Sequence, residues 1–107
     1  MIHSHLADCL SRITELCQEQ KVLRLYAFGS VVDGRFKQGK SDVDLLIEFK
    51  TEELTKAEIS KSLFVLWIEF QEMLQCKVDI ISNAKLKGKY FKKYLELYKV
   101  KIFDAEE

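Results

Sequence analysis

The apolar run from Val43 to Phe49 is the feature that most restricts the fold of this chain. Its residues are mostly apolar, which is typical of a strand buried on both faces in the centre of a sheet. Asp44 interrupts the run near its beginning, and Asp42 precedes it. Residues i and i+2 of a strand point to the same face. We therefore expect the two carboxylates to project together, while Val43 and Leu45 point into the core.

Helical and strand periodicities alternate on both sides of this run. Apolar residues at helical spacing predict helices over residues 4–20, 51–75 and 88–103, and short apolar runs predict strands over residues 22–28, 43–49 and 77–82. Thr51 or Thr55 is expected to cap the long helix. Residues 100–103 have a second interpretation, as a short edge strand. This order predicts an α/β (α+β) sheet with helices packed on it.

Composition restricts the class of protein. The 107 residues suffice for one domain, over residues 1–107, with one core. Lys+Arg and Asp+Glu both number 17, so net charge gives no general attraction to nucleic acid or to an anionic membrane. The longest apolar run, at residues 63–68, is too short to span a bilayer. The odd cysteine count, without a C-x-x-C pair, and the absence of a signal-peptide pattern favour a reduced, cytoplasmic protein.

The first strand is followed by a glycine-rich turn. Three of the four glycines, Gly29, Gly34 and Gly39, lie between residues 27 and 49. Backbone N–H groups at a turn such as Gly29-Ser30 can point at an anion, and a glycine lets a phosphate approach closely. Ser30 adds a hydroxyl donor. The turn is therefore a candidate nucleotide-phosphate site.

A third carboxylate completes a candidate catalytic site. Asp79 lies in the predicted strand at residues 77–82, where β-propensity disfavours aspartate. If the second and third strands are neighbours, Asp79 lies beside Asp44. Mg²⁺ prefers oxygen ligands and usually takes one or two protein carboxylates together with phosphates and water. Asp42, Asp44 and Asp79 would then bind two Mg²⁺ ions beside a nucleoside triphosphate, which is the arrangement that nucleotidyl transfer needs.

Each of these motifs taken singly has an ordinary structural interpretation. A Gly-Ser pair after a strand is usually only a turn, and a Ser-Asp-x-Asp segment is often a solvated loop or a cap. Asp79 has the alternative of pairing with a nearby lysine on the outer face of the sheet. The combination of all three motifs, in this order and at this spacing, is much more specific than any one of them.

Residues 28–30 (FGS), 41–49 (SDVDLLIEF) and 77–81 (KVDII) together resemble the minimal nucleotidyltransferases of the DNA polymerase β superfamily, which are often encoded beside a HEPN-domain protein. The match covers nearly the whole chain. The resemblance implies a polymerase β-like fold, with a mixed core of about three strands flanked by helices. It implies that Gly29 and Ser30 contact nucleotide phosphate and that Asp42, Asp44 and Asp79 bind metal and catalyse. It also implies an antitoxin that transfers AMP from ATP to a tyrosine of a HEPN toxin, an RNase.

One position departs from the family's pattern. Many members carry an Arg-Gly pair a few residues after Gly-Ser, whereas this chain has Asp33-Gly34 followed by Arg35. In one interpretation Arg35 takes over the basic role and binds the nucleotide. In the other, Asp33 places a negative charge near the phosphates and weakens activity.

The long helix suggests an interface. Residues 63–70 are apolar around most of the helix circumference, so a second buried contact besides the sheet is expected. Phe64, Trp67 and Phe70 are the predicted anchors of a homo- or hetero-oligomer. The alternative is that the other helices of the same chain cover both sides. An acceptor brought by a partner protein fits a chain of this size.

Two further functions remain open. A non-catalytic antitoxin would neutralise its partner by binding alone, and a nucleotide sensor would bind ATP without transfer. In the tail, lysines between Lys85 and Lys93 alternate with aromatic residues, a pattern also seen in RNA-binding segments. A solvated helical face explains it more simply, so we expect no direct binding of nucleic acid.

Overall fold

The computed structural model describes residues 4–35, 37, 41–83 and 88–107; Gly39, Lys85 and Lys87 lie outside them. In the described residues the helices are α1 (Ser4–Ala7), α2 (Leu10–Glu19), α3 (Ser30–Asp33), α4 (Lys56–Leu74) and α5 (Lys89–Tyr98). The strands are β1 (Arg24–Phe28), β2 (Val43–Glu48), β3 (Val78–Ser82) and β4 (Val100–Asp104). No described helix is long and apolar enough to cross a bilayer.

The strands form one mixed sheet in the order β3-β2-β1-β4. β1 is antiparallel to β2 and to β4, whereas β2 is parallel to β3. The predicted mixed sheet and the central position of β2 are confirmed. The strand count of about three was one too low, because residues 100–104 pair along the free edge of β1 and do not extend the last helix. Arg24 of β1 holds this added strand through an ion pair of 3.1 Å with Asp104.

The two faces of the sheet are covered by different helices. On one face the inward residues of β1 and β2 pack with α2 and α4, and these residues include Leu25, Ala27, Val43, Leu45, Ile47, Ile13, Leu16, Leu66, Phe70 and Leu74. On the other face Phe28 and Leu46 pack with Leu95 of α5. Burying each large apolar side chain contributes about 1.5–3 kcal/mol, so the first face supplies most of the core. The second face is only partly covered, and the aspartates lie on it.

The helix boundaries follow local signals. Thr55 caps α4 through a capping box, in which its hydroxyl accepts from the Glu58 N–H and the Glu58 carboxylate accepts from the Thr55 N–H. The single helix predicted over residues 4–20 was wrong, since α1 and α2 are separated by Asp8 and Cys9. At that point the Cys9 N–H bonds to the Leu6 carbonyl, a tighter three-residue step that interrupts the α-helical pattern.

Candidate functional site

The predicted neighbourhood of Asp44 and Asp79 is confirmed by the strand register. In the parallel pair β2–β3, Asp44 lies directly opposite Asp79, and in the antiparallel pair β1–β2 it lies opposite Phe28. Val43 and Leu45 belong to the main core on the other face. The end of β1 and the beginnings of β2 and β3 therefore meet at one edge of the sheet, and the chain turns there at Gly29.

Gly29 lies so close to the Asp44 carboxylate that a side chain at position 29 would force that carboxylate to move. The backbone of Gly29 has φ 73°, a conformation that side chains rarely adopt. A Cβ added to Gly29 would lie 2.5 Å from Oδ2 of Asp44, well inside van der Waals contact. Both the backbone conformation and the close carboxylate favour glycine at this position. The turn predicted to bind phosphate and the aspartate predicted from a separate motif thus lie side by side.

Ser30 connects this turn to the segment that carries Asp42. Ser30 begins α3, and the Gly29 carbonyl accepts hydrogen bonds from the N–H groups of Val32 and Asp33, at 3.1 and 3.2 Å. The Ser30 hydroxyl donates to the Asp42 carbonyl oxygen at 3.5 Å, a long and weak bond. The hydroxyl that the sequence assigned to a phosphate therefore lies next to the aspartate pair.

The three carboxylates repel one another. Burial and, to a smaller extent, the negative charges of Asp79 and Asp42 together raise the pKa of Asp44 from its ordinary value of 3.8 to about 6. Asp42 has a partial counter-charge, because the Lys77 ammonium lies 3.8 Å from its carboxylate. A cation or a proton would relieve the remaining repulsion.

The ion pair of Lys77 with Asp42 was not predicted from the sequence, although the position of Lys77 indicates it. Lys77 precedes Asp79 by two residues, as Asp42 precedes Asp44, and β2 and β3 run parallel in matching register. A lysine was the alternative partner expected for Asp79, whereas the structure pairs Lys77 with Asp42. Both side chains of this pair are largely exposed to solvent, so the ion pair contributes little to stability.

The carboxylates fit Mg²⁺ in chemistry and in charge. All three offer oxygen atoms, which this ion prefers, and burial together with the charges of Asp79 and Asp42 makes the ionised form of Asp44 unfavourable without a cation. In the part of the chain that the structure describes, no three acidic, histidine or cysteine side chains converge as a ready metal-binding group. Binding an ion would therefore require the carboxylate side chains to move closer together.

Asp33 and Arg35 neutralise each other. The Arg35 guanidinium donates to Oδ2 of Asp33 from Nε at 2.9 Å and contacts it from its terminal nitrogen at 2.6 Å, and the Arg35 N–H donates to Oδ1 at 3.1 Å. The hydrogen bond from the Arg35 side chain lowers the pKa of Asp33. The negative charge of Asp33 is thus compensated locally, and Arg35 is engaged with Asp33 rather than open toward a phosphate.

Only two of the three residues predicted to anchor an interface on α4 are exposed to solvent. Phe64 and Trp67 are 60% and 41% exposed, whereas Phe70 is fully buried. Naming Phe70 as a partner contact was wrong, because it lies on the side of α4 that packs on the sheet. Ile68, at 38% exposure, belongs to the exposed set and was missed. Its spacing of i+4 from Phe64 was the available signal.

Comparisons with known proteins agree on one family. The model of a nucleotidyltransferase domain matches residues 11–102. No similar protein is found among the curated proteins. A solved structure described as a candidate minimal nucleotidyltransferase superposes with a TM-score of 0.70 at 25% identity, over 94% of this chain and 95% of that one.

Two further solved structures share the fold at lower identity. A toxin–antitoxin pair with AMP-PNP has a TM-score of 0.69 at 16% identity, over 91% of this chain and 74% of that one. A tri-AMPylated HEPN toxin of Shewanella oneidensis in complex with its MNT antitoxin has a TM-score of 0.60 at 14% identity, over 91% and 71%. Because the family model spans most of the chain and includes the glycine, serine and aspartate positions of the site, this protein belongs to the nucleotidyltransferase domain family.

Proposed function

We propose that this chain is a Mg²⁺-dependent nucleotidyltransferase that transfers AMP from ATP to a hydroxyl group of a partner protein. The partner is a HEPN-domain toxin, the acceptor is one of its tyrosines, and the result is antitoxin activity. The approach of Gly29 to the Asp44 carboxylate carries the proposal, because it joins a phosphate-binding turn to the acidic cluster. Two structural neighbours support the choice of partner: one is a tri-AMPylated HEPN toxin in complex with its MNT antitoxin, and the other is a toxin–antitoxin complex.

The proposed transfer is a single displacement at phosphorus. The acceptor hydroxyl oxygen attacks the α-phosphorus of ATP, and the bond from that phosphorus to the bridging oxygen of the pyrophosphate breaks. Pyrophosphate leaves with the bonding electron pair. The hydroxyl proton passes to a carboxylate oxygen of Asp79 and then to water. The products are the AMP ester of the acceptor and free pyrophosphate.

The residues of the chain position these groups. The backbone at Gly29 and the Ser30 hydroxyl hold phosphate oxygens, next to the carboxylates at the start of β2. Two Mg²⁺ ions held by Asp42, Asp44 and Asp79 would supply the positive charge that lowers the pKa of the acceptor hydroxyl and stabilises the leaving pyrophosphate. Positioning and charge are the main requirements for such a transfer. Arg35 would reach the phosphates after exchanging its bond with Asp33.

One specific observation favours a second candidate function, neutralisation of the partner by binding alone. Asp33 stands where many relatives carry arginine and is paired with Arg35. If the protein acts only by binding its partner, the site need not hold phosphate, and the Asp33–Arg35 ion pair would do no harm.

A labelling reaction separates the two functions. The purified chain is mixed with Mg²⁺, ATP labelled at the α-phosphorus and its proposed HEPN-domain partner. We expect label on the partner with the wild type and with Asp8→Asn, an exposed aspartate of the α1–α2 turn. With Asp44→Asn we expect no label, although the two proteins still copurify. If the partner binds every version and none labels it, transfer is refuted and the binding function is supported.

A further inference from the structure

Lys77 lies on the same face of the sheet as the three carboxylates of the candidate site. Val43 of β2 and Val78 of β3 are partners in the parallel register, and both are buried in the main core. Because side chains alternate along a strand, the residues that flank each valine point to the opposite face. These flanking residues are Asp42 and Asp44 around Val43, and Lys77 and Asp79 around Val78. The site is thus an array of four side chains, three acidic and one basic.

The main chain of Lys77 is fixed in this array, whereas its side chain is held loosely. The Lys77 carbonyl accepts a hydrogen bond from the Val43 N–H at 3.0 Å, which joins its backbone to β2 between the two aspartates. The ammonium lies 3.8 Å from the Asp42 carboxylate, beyond hydrogen-bond distance, and 67% of the side chain is exposed. A flexible lysine in an exposed pair of this kind changes its partner at little cost in free energy.

Lys77 is also the basic group closest to the site in the part of the chain that the structure describes. No other described lysine or arginine forms an ion pair with any of the three carboxylates. The Arg35 guanidinium, which the sequence assigned to the nucleotide, is bound to Asp33. Phosphate groups that enter beside the carboxylates therefore meet the Lys77 ammonium as their nearest described cation.

We propose that Lys77 is a phosphate-binding residue of this site, an inference that rests on the proposed transferase function. In the protein without ligands, its ammonium is the counter-charge of Asp42. Once Asp42 is bound to Mg²⁺ and a nucleoside triphosphate lies beside it, the ammonium no longer has a free carboxylate as its partner. It then donates charge-assisted hydrogen bonds to the phosphate oxygens. Lys77 thus exchanges a carboxylate for a phosphate when the substrate binds.

This exchange predicts opposite effects of the Lys77 charge on two ligands. Without nucleotide, the ammonium competes with a divalent cation for Asp42, so its removal should tighten the binding of Mg²⁺ alone. With nucleotide, the ammonium adds a hydrogen bond to phosphate, so its removal should weaken the binding of Mg²⁺-ATP. A lysine that only supports the fold would not shift the two affinities in opposite directions.

The test compares three variants of the full chain. Lys77→Gln removes the charge, Lys77→Arg keeps it, and Lys61→Gln removes the charge of an exposed lysine on α4. Urea unfolding over a series of Mg²⁺ concentrations gives the dissociation constant of Mg²⁺ alone, because an ion that binds only the folded state adds stability. Calorimetric titration with ATP at saturating Mg²⁺ gives the dissociation constant of the nucleotide. Neither measurement requires transfer.

With Lys77→Gln we expect the dissociation constant of Mg²⁺ alone to fall by about 2- to 5-fold and that of Mg²⁺-ATP to rise by about 5-fold or more. Lys77→Arg should lie closer to the wild type than Lys77→Gln for both ligands, and Lys61→Gln should match the wild type. An unchanged affinity of Lys77→Gln for Mg²⁺-ATP, or an equal loss in Lys61→Gln, would overturn the proposal. Weaker binding of both ligands to Lys77→Gln would also overturn it, because it would indicate a disturbed site.

The proposed function and this inference fail in different ways. A wild-type chain that binds no Mg²⁺-ATP would refute both. A wild-type chain that binds Mg²⁺-ATP but labels no partner would refute transfer alone, and the comparison of Lys77→Gln with Lys61→Gln would still decide the role of Lys77. Equal Mg²⁺-ATP affinities for Lys77→Gln and the wild type, with normal labelling, would overturn the phosphate contact and leave the transferase function standing.

Discussion

Replacing Asp44 by asparagine should stabilise the protein at neutral pH while abolishing transfer. Folding raises the pKa of Asp44 from 3.8 to about 6, so the folded state binds this proton more tightly than the unfolded chain. The ionised carboxylate therefore costs stability. The cost is absent below about pH 3.8, grows as the pH rises toward about 6, and is complete above it.

The size of the effect follows from the same shift. At about 1.4 kcal/mol for each pH unit, the difference between 3.8 and about 6 sets an upper limit of about 3 kcal/mol. Asp44 is only partly buried, and water screens part of the repulsion from Asp42 and Asp79. We therefore expect Asp44→Asn to raise the free energy of unfolding by about 1–2 kcal/mol at pH 7.5.

Urea unfolding at pH 4 and pH 7.5, in a buffer free of divalent cations, measures this free energy directly. The difference in free energy of unfolding between Asp44→Asn and the wild type should be small at pH 4 and reach its full value at pH 7.5. Millimolar Mg²⁺ should stabilise the wild type and narrow the difference, because binding to the folded state alone adds stability. Asp8→Asn serves as the control and should change neither value. A variant no more stable than the wild type at pH 7.5 would refute the electrostatic account of the site.

Four further substitutions test other parts of the site and the fold. Gly29→Ala should lower the free energy of unfolding by about 2–3 kcal/mol in urea, because it combines a positive φ with a clash against a carboxylate. Gly34→Ala, where a Cβ meets nothing within 4 Å, should cost only about 1 kcal/mol. Asp33→Asn should free Arg35 and lower the KM for ATP several-fold in the labelling assay, and an unchanged or higher KM would exclude a phosphate role for Arg35. Thr55→Ala should cost about 1 kcal/mol through loss of the capping box, and a smaller effect than about 0.3 kcal/mol would show that the cap is dispensable.

The acidic site was predictable because its signals are local in the sequence. Side chains alternate along a strand, so Asp44 points to the opposite face of the sheet from Val43. Asp79 then lies beside Asp44 if β2 and β3 are adjacent strands. The structure supplies that adjacency through the parallel register of β2 and β3. The close approach of Gly29 was not predictable in its detail, since it depends on how β1 ends against β2.

The remaining differences arise where tertiary contacts overrule periodicity. Residues 100–103 fit a helix and a strand equally well, and the open edge of β1 decides for a strand. Phe70 and Trp67 are both aromatic residues of an apolar helix, and only the position of the sheet determines which one is buried. The pairing of Asp33 with Arg35 depends on the left-handed turn at Gly34 between them, which the sequence alone left open.

Nucleotidyl transfer to the partner is tested most directly by the origin of the transferred phosphorus. Two parallel reactions contain the chain, Mg²⁺ and the proposed HEPN-domain partner, one with ATP labelled at the α-phosphorus and one with ATP labelled at the γ-phosphorus. The account predicts that label from the α-phosphorus becomes attached to the partner and that label from the γ-phosphorus appears only in released pyrophosphate. Partner labelled from the γ-phosphorus, or from neither, would contradict it.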